Sequence, residues 1–218
     1  MGNDTERPML GEHFAVEALA GAIQKKWSGG YEVSGFSVMI TSMWVYQKGA
    51  ILGRAKAENI DIFAKLIAVE GGEKNMREFF KNASERQLNV YGKEPSSFID
   101  FLLKTMFPEI DMGNLEMLKA LDKKKVRLGE ILPRFQVDAA TGIGFGAFHP
   151  EIVEKMWLES YEMEKDTDIW QEARQYGLDI PEKRSYIPIA EMEENVLKEV
   201  SEFVKEYHPS LITPLGLR

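Results

Sequence analysis

Apolar side chains recur every three to four positions along most of this chain, the spacing of helices that each bury one face. Val16, Leu19, Ala20, Ile23 and Trp27 form one stripe, ended by Gly29-Gly30. A second runs through Ile60, Phe63, Ala64 and Ile67 to Gly71-Gly72. The third holds Met76, Phe80, Ala83, Gln87 and Val90, is widened by Phe79, and stops at Gly92. Pro95, Ser96 and Ser97 suit a helix start, because a first turn has no use for the amide that proline lacks. The segment behind them, Phe98 to Phe107, is apolar nearly all round and predicts a central, buried helix.

A short helix is expected after Asp111 or Asn114, through Leu115, Leu118 and Leu121. Pro150 opens another, through Ile152, Val153, Met156, Trp157 and Tyr161. The clearest stripe is Met192, Val196, Val200, Phe203, Val204 and Tyr207. Glu191, Glu193 and Glu194 in its first turn and Lys205 in its last suit the helix dipole, and Pro209 follows.

Gly35 to Leu52 reads two ways. Phe36, Val38 and Ile40 alternate as in a strand, whereas Met39, Met43, Tyr46 and Ala50 fit a helix; the length of the run favours helix. Short extended pieces fit within Val126–Val137 and Ile180–Ile189, and no repeat is visible. The pattern predicts a mainly α protein, a single bundle-like globular domain of about seven to nine helices with at most a few short strands. Residues 1–10 read as a flexible N-terminus, 11–207 as the domain, and 208–218 as a C-terminal tail, with a weak subdivision at 129–150.

Composition narrows the function classes. With 44% hydrophobic and 28% charged residues the chain can bury a core. Its net charge of −8 disfavours nucleic acid, and the basic run Lys123 to Arg127 reads as a solvated turn. The absence of cysteine removes disulfides, thiolate chemistry and Cys-ligated metals. The first residues lack the basic-then-apolar pattern of a secretory signal, and the longest uncharged run, Val33 to Gln47, has 15 residues where a membrane span needs about 20. A cytoplasmic address is expected and membrane contact is disfavoured, surface association through Gly35–Leu52 being the weakest option.

The most suggestive local pattern is Thr141-Gly142-Ile143-Gly144-Phe145-Gly146-Ala147-Phe148-His149-Pro150. A glycine-rich loop before a helix offers free amides to an anion, so Gly142, Gly144, Gly146, Phe145 and Phe148 are candidate anion- or ligand-binding residues. The spacing is neither that of a dinucleotide loop nor of a Walker A loop, and a close-packed turn plugged by the two phenylalanines is the plainer reading. Of the three histidines, His149 is the candidate for proton transfer, against a plain helix cap. Glu151 and Glu154 share a helical face and could hold Mg²⁺ if a second pair, such as Glu191 and Glu194, faced them; a solvated surface is the simpler account.

Two functional readings follow. The leading one is a non-catalytic binding or accessory protein, with a protein partner or a homodimer, using an apolar groove between helices; its motive is the wealth of methionine (11) and aromatic residues. The alternative is an enzyme acting on a phosphorylated or anionic small molecule through Gly142–Gly146, His149, Glu151 and Glu154.

Overall fold

A computed structural model of the protein describes residues 31–60, 76–163, 168–178 and 186–217. The stripes at 16–27 and 61–67, His13 and the segment 1–10 lie outside the described residues. Among the described residues the chain is mainly helical, with eight α-helices and one two-stranded sheet. In order these are β1 (Glu32–Ser34), α1 (Gly35–Ala55), α2 (Met76–Tyr91), α3 (Phe98–Met106), α4 (Leu115–Lys123), β2 (Lys125–Arg127), α5 (Leu128–Phe148), α6 (Pro150–Met163), α7 (Asp168–Tyr176) and α8 (Ile189–Tyr207).

The centre is a pair of long helices. β1 and β2 pair antiparallel with Val33 opposite Val126, and each strand runs straight into a 21-residue helix, about 31 Å long. Gly35 N donates to Lys124 O (2.7 Å) and Leu128 N to Tyr31 O (2.8 Å), so both helices spring from the same ribbon. Ser34 caps α1 by accepting from Ser37 N at 3.1 Å. The helices then run parallel in direct backbone contact: Gly142 lies on Tyr46 and Ala50, Gly146 on Ala50, Gly49 on Ala139 and Ile143, and Gly53 on Ile143. A methyl group on Gly49 would sit 2.5 Å from the Ala139 carbonyl, and at the other three positions it would press still closer on backbone. Small residues four apart on each helix, Gly49/Gly53 and Gly142/Gly146, let the two backbones approach this closely.

This centre revises two expectations. Gly35–Leu52 is helical as the length of the run indicated, but 129–148 is a continuous helix, neither a subdivision nor a loop, and only at His149 does the chain turn into α6. Glycine's poor helix preference, about 1 kcal/mol each, is overridden because only glycine fits the contact. A repeat is also present. One constant shift in numbering carries β1–α1 onto β2–α5, Val33 onto Val126, Gly49 onto Gly142, Gly53 onto Gly146 and the C-cap Lys56 onto the C-cap His149. The mutual contacts obey the same exchange: Gly49 on Ala139 corresponds to Gly142 on Tyr46, and Gly53 on Ile143 to Gly146 on Ala50. The pseudo-symmetry escapes sequence reading because it is carried by a few small residues among otherwise different ones.

The remaining helices sheathe this pair. α8 runs antiparallel along α1, with the buried Lys48 ammonium 2.6 Å from Glu199. α2 lies against α5 through Phe80, packed on Gly144. The face α2 buries differs from the expected stripe: Phe80 and Ser84 are buried, whereas Phe79 and Val90 are about half exposed, at 48% and 59%. α3 is capped by Ser97, is short, and buries Phe98, Phe101 and Leu102 against α2, α1 and α6. It is a peripheral helix, because α1 and α5 occupy the centre that its apolar composition suggested for it. Ser160 Oγ of α6 accepts from Phe98 N at 2.8 Å and fixes its start. Beyond α8 a 3₁₀ turn leads to Leu215 and Leu217, both buried in the core, so the segment read as a tail completes the packing.

Candidate functional site

The residues singled out in the sequence fall at the far end of α5. Gly142, Gly144 and Gly146 are inside the helix, where their amides close the backbone ladder and none is presented to an anion. The anion-cradle expectation is corrected on that ground. Phe145 is fully buried between Tyr46 and Phe101, with ring centroids 6.1 and 4.9 Å away. Phe148 is half-buried under the Arg77 guanidinium (5.7 Å).

His149 is the C-cap of α5 and joins it to α6. Its N–H donates to Phe145 O (2.9 Å) and its carbonyl accepts from Ile152 and Val153 (3.1 Å each). The imidazole rests on Phe145, centroid to centroid 5.3 Å, and its Nε2 has no hydrogen-bond partner among the described residues. Burial holds its pKa below the usual histidine value, against the pull of Glu151 and Glu85. The ring is therefore neutral near pH 7, and its surroundings are those of a packing residue.

Acidic side chains of α6 and α8 do converge, but on a cation. Arg54, near the end of α1, donates to Glu154 of α6 (2.8 Å), to Glu193 of α8 and to the Pro150 carbonyl (3.3 Å). Glu193, rather than Glu191 or Glu194, faces this point, and Glu151 stays exposed. Among the described residues there is no cluster of three side chains able to hold a metal ion. The expected Mg²⁺ pair is thus an arginine clamp tying three helix ends together.

Two features lie outside the residues that the sequence singled out. The first is a groove of about 400 Å³ between the end of α2, α3 and the turn 107–110, lined by Tyr91, Asp100, Leu103, Lys104, Pro108 and Ile110. Tyr91 is held in place, its hydroxyl 2.8 Å from Ser96 Oγ and its ring on Phe101. Lys104 folds back over the Tyr91 ring (5.2 Å) and reaches its carbonyl (3.4 Å), while the Asp100 carboxylate accepts from Ser96 Oγ at a long 3.4 Å. The groove is thus lined about equally by polar and apolar surface, with a carboxylate at its rim that has acceptor capacity to spare.

The second feature is a polar cluster inside the helix pair. Asp138 of α5 is 7% exposed and faces α1; neither its Oδ2 nor Ser42 Oγ has a hydrogen-bond partner among the described residues. Burial pushes the Asp138 pKa up to about 6, partly opposed by Arg134 and by the nearby Ser42 hydroxyl. Tyr46 donates to Gln87 of α2 at 2.8 Å, and burial followed by the Asp138 charge raises its pKa well above the usual tyrosine value. Arg134 Nε lies 3.7 Å from Asp138 Oδ2, and its guanidinium sits 4.6 Å over the Phe107 ring. A polar residue on an otherwise apolar stretch, Asp138 beside Ala139 and Ala140, was the available signal. No helix among the described residues is long and apolar enough to cross a membrane. No family model, curated protein or solved structure significantly matches the chain.

Proposed function

We propose that the protein is a non-catalytic binding or accessory protein that holds a peptide segment of a partner in the groove between α2 and α3. The observation that carries this reading is the groove's mixed construction: Leu103, Pro108, Ile110 and the Tyr91 ring offer apolar contacts beside polar surface, and Asp100 supplies one under-used acceptor at the rim. Its volume of about 400 Å³ suits one or two anchoring side chains rather than a whole domain. Lys104 is engaged with Tyr91, and the chain carries a net charge of −8, so the fitting occupant pairs an apolar anchor with a lysine or arginine. The enzyme reading receives no comparable support, since the α5 amides are used within the helix and Glu154 is paired with Arg54.

Selection of random peptides on the full chain tests the proposal. The enriched peptides should share an apolar anchor next to a basic residue. Ile110→Trp, which fills the groove, should weaken them by about tenfold or more, and Asp100→Asn by a few-fold. Peptides that bind both variants as well as the wild type would overturn it. If sedimentation shows a dimer that Ile110→Trp dissolves, the occupant is a second copy of this chain and the partner-peptide assignment fails.

A further inference from the structure

The groove's far wall is tied to the buried acid. Phe107 begins the turn 107–110 and is only 7% exposed, and Ile110 N donates to its carbonyl at 2.9 Å. Phe107 thus shares one hydrogen-bonded turn with Pro108 and Ile110, which line the groove. The ring carries the Arg134 guanidinium, and the same guanidinium forms the ion pair with Asp138. At 3.7 Å the Arg134–Asp138 pair is wider than a hydrogen bond, so Arg134 now rests on Phe107.

We propose that the protonation state of Asp138 sets the position of the 107–110 turn, and with it the width of the groove, by deciding whether Arg134 sits on Phe107 or closes on the carboxylate. The biological consequence rests on the groove being the binding site; the coupling itself belongs to the unliganded chain. A neutral Asp138 carboxyl has little hold on Arg134. An ionised one, buried and with no hydrogen bond to its Oδ2 among the described residues, draws the guanidinium into hydrogen-bond range and off the ring.

The groups around Asp138 leave Arg134 as the responder. From α1 it faces Ser42, which is neutral, and Tyr46, whose burial keeps the phenol protonated and whose hydroxyl is committed to Gln87. Gln87 of α2 reaches this cluster only through Tyr46, and Phe107 only through Arg134; both are uncharged. Arg134, one turn before Asp138 on α5, is the cation that acts on it. A carboxyl poised at about 6 changes charge within a physiological pH range.

Nuclear magnetic resonance of the full unliganded chain tests the coupling, following the Asp138 carboxyl carbon and the Ile110 methyl group between about pH 4.5 and 8. The two signals should titrate with one midpoint. Asp138→Asn should abolish the Ile110 titration, and Arg134→Gln should abolish it while Asp138 continues to titrate. An Ile110 methyl that does not move, or that moves unchanged in either variant, overturns the proposal. If Asp138→Asn does not fold, Arg134→Gln decides alone. Should Ile110 follow Asp138 while no peptide binds the groove, the coupling stands and only the binding-site reading fails.

Discussion

Replacing Gly146 by alanine isolates the contact on which the fold turns. In an ordinary exposed helix this change stabilises by about 1 kcal/mol, because alanine is the better helix former. Here the new methyl group would be driven into the Ala50 carbonyl of α1, a backbone atom locked in its own helix that cannot step aside. Over-packing of a core costs about 1–3 kcal/mol when side chains can yield, and more when the neighbour is backbone. Setting about 3–5 kcal/mol of collision and lost packing against the helix gain leaves a net loss of about 2–4 kcal/mol. At about 2–4 °C per kcal/mol for a chain of this size, Tm falls by roughly 4–16 °C. Gly53→Ala should cost a similar amount, since its methyl meets Ile143 in the equivalent place. Gly129→Ala on the same helix is the control: its methyl would meet nothing within 4 Å, so it should be neutral or gain up to about 1 kcal/mol. Urea unfolding followed by far-UV circular dichroism gives the three values with their slopes. If Gly146→Ala matches Gly129→Ala, the helices are not in backbone contact and the packing argument is refuted.

Three further outcomes follow from buried charges. Asp138 has a folded pKa of about 6 against an ordinary value of 3.8, so folding favours its protonated form. That contribution is complete below about pH 4 and is lost as pH rises to 6, by about 3 kcal/mol at most. Asp138→Asn should therefore gain stability over the wild type as pH rises through this window; a constant difference between pH 4 and pH 7 in urea unfolding would contradict it. Arg54→Ala leaves Glu193 facing Glu154 without a cation and should cost about 1–3 kcal/mol, whereas Glu154→Gln, at an exposed carboxylate, should stay within about 0.5 kcal/mol; equal losses in thermal unfolding would refute the clamp. Lys48→Met should change stability by less than about 1 kcal/mol, because Glu199 can turn to water, but Glu199→Ala strands a buried ammonium and should cost about 2 kcal/mol or more. The reverse ranking would show that the ammonium is not enclosed.

Of the outer helices α4, α6 and α8 were legible because each shows one face to the core, whereas the buried face of α2, the place of α3 and the existence of α7 were not. Met192, Val196, Val200 and Val204 of α8 are the buried residues that their spacing announced, and Asn114 and Pro150 open α4 and α6 as their chemistry indicates. The central pair was harder to read for a physical reason. α1 is wrapped on every side, so its apolar residues surround the helix and no single stripe stands out; α5 adds Pro133 and four glycines, which argue against helix wherever packing does not overrule them. The legible clue was the pair Gly49/Gly53 and Gly142/Gly146 at one spacing, each set following a strand-like Val33 or Val126. Of the candidate site, His149 was recognisable as a cap, but the convergence of Glu154 and Glu193 on Arg54 depends on three helix ends meeting. The groove depends on the turn 107–110 folding back onto α3, which no local pattern encodes.

Amide hydrogen exchange at Gly142, Gly144 and Gly146 bears most directly on the claim that this glycine run joins two helices rather than cradling an anion. Locked in α5 against α1 and α2, these amides should exchange only through global unfolding, as slowly as the best-protected amides of the chain, and should not respond to added phosphate. Exchange within seconds, or a phosphate-dependent shift of their resonances, would place them in an open loop and contradict the account.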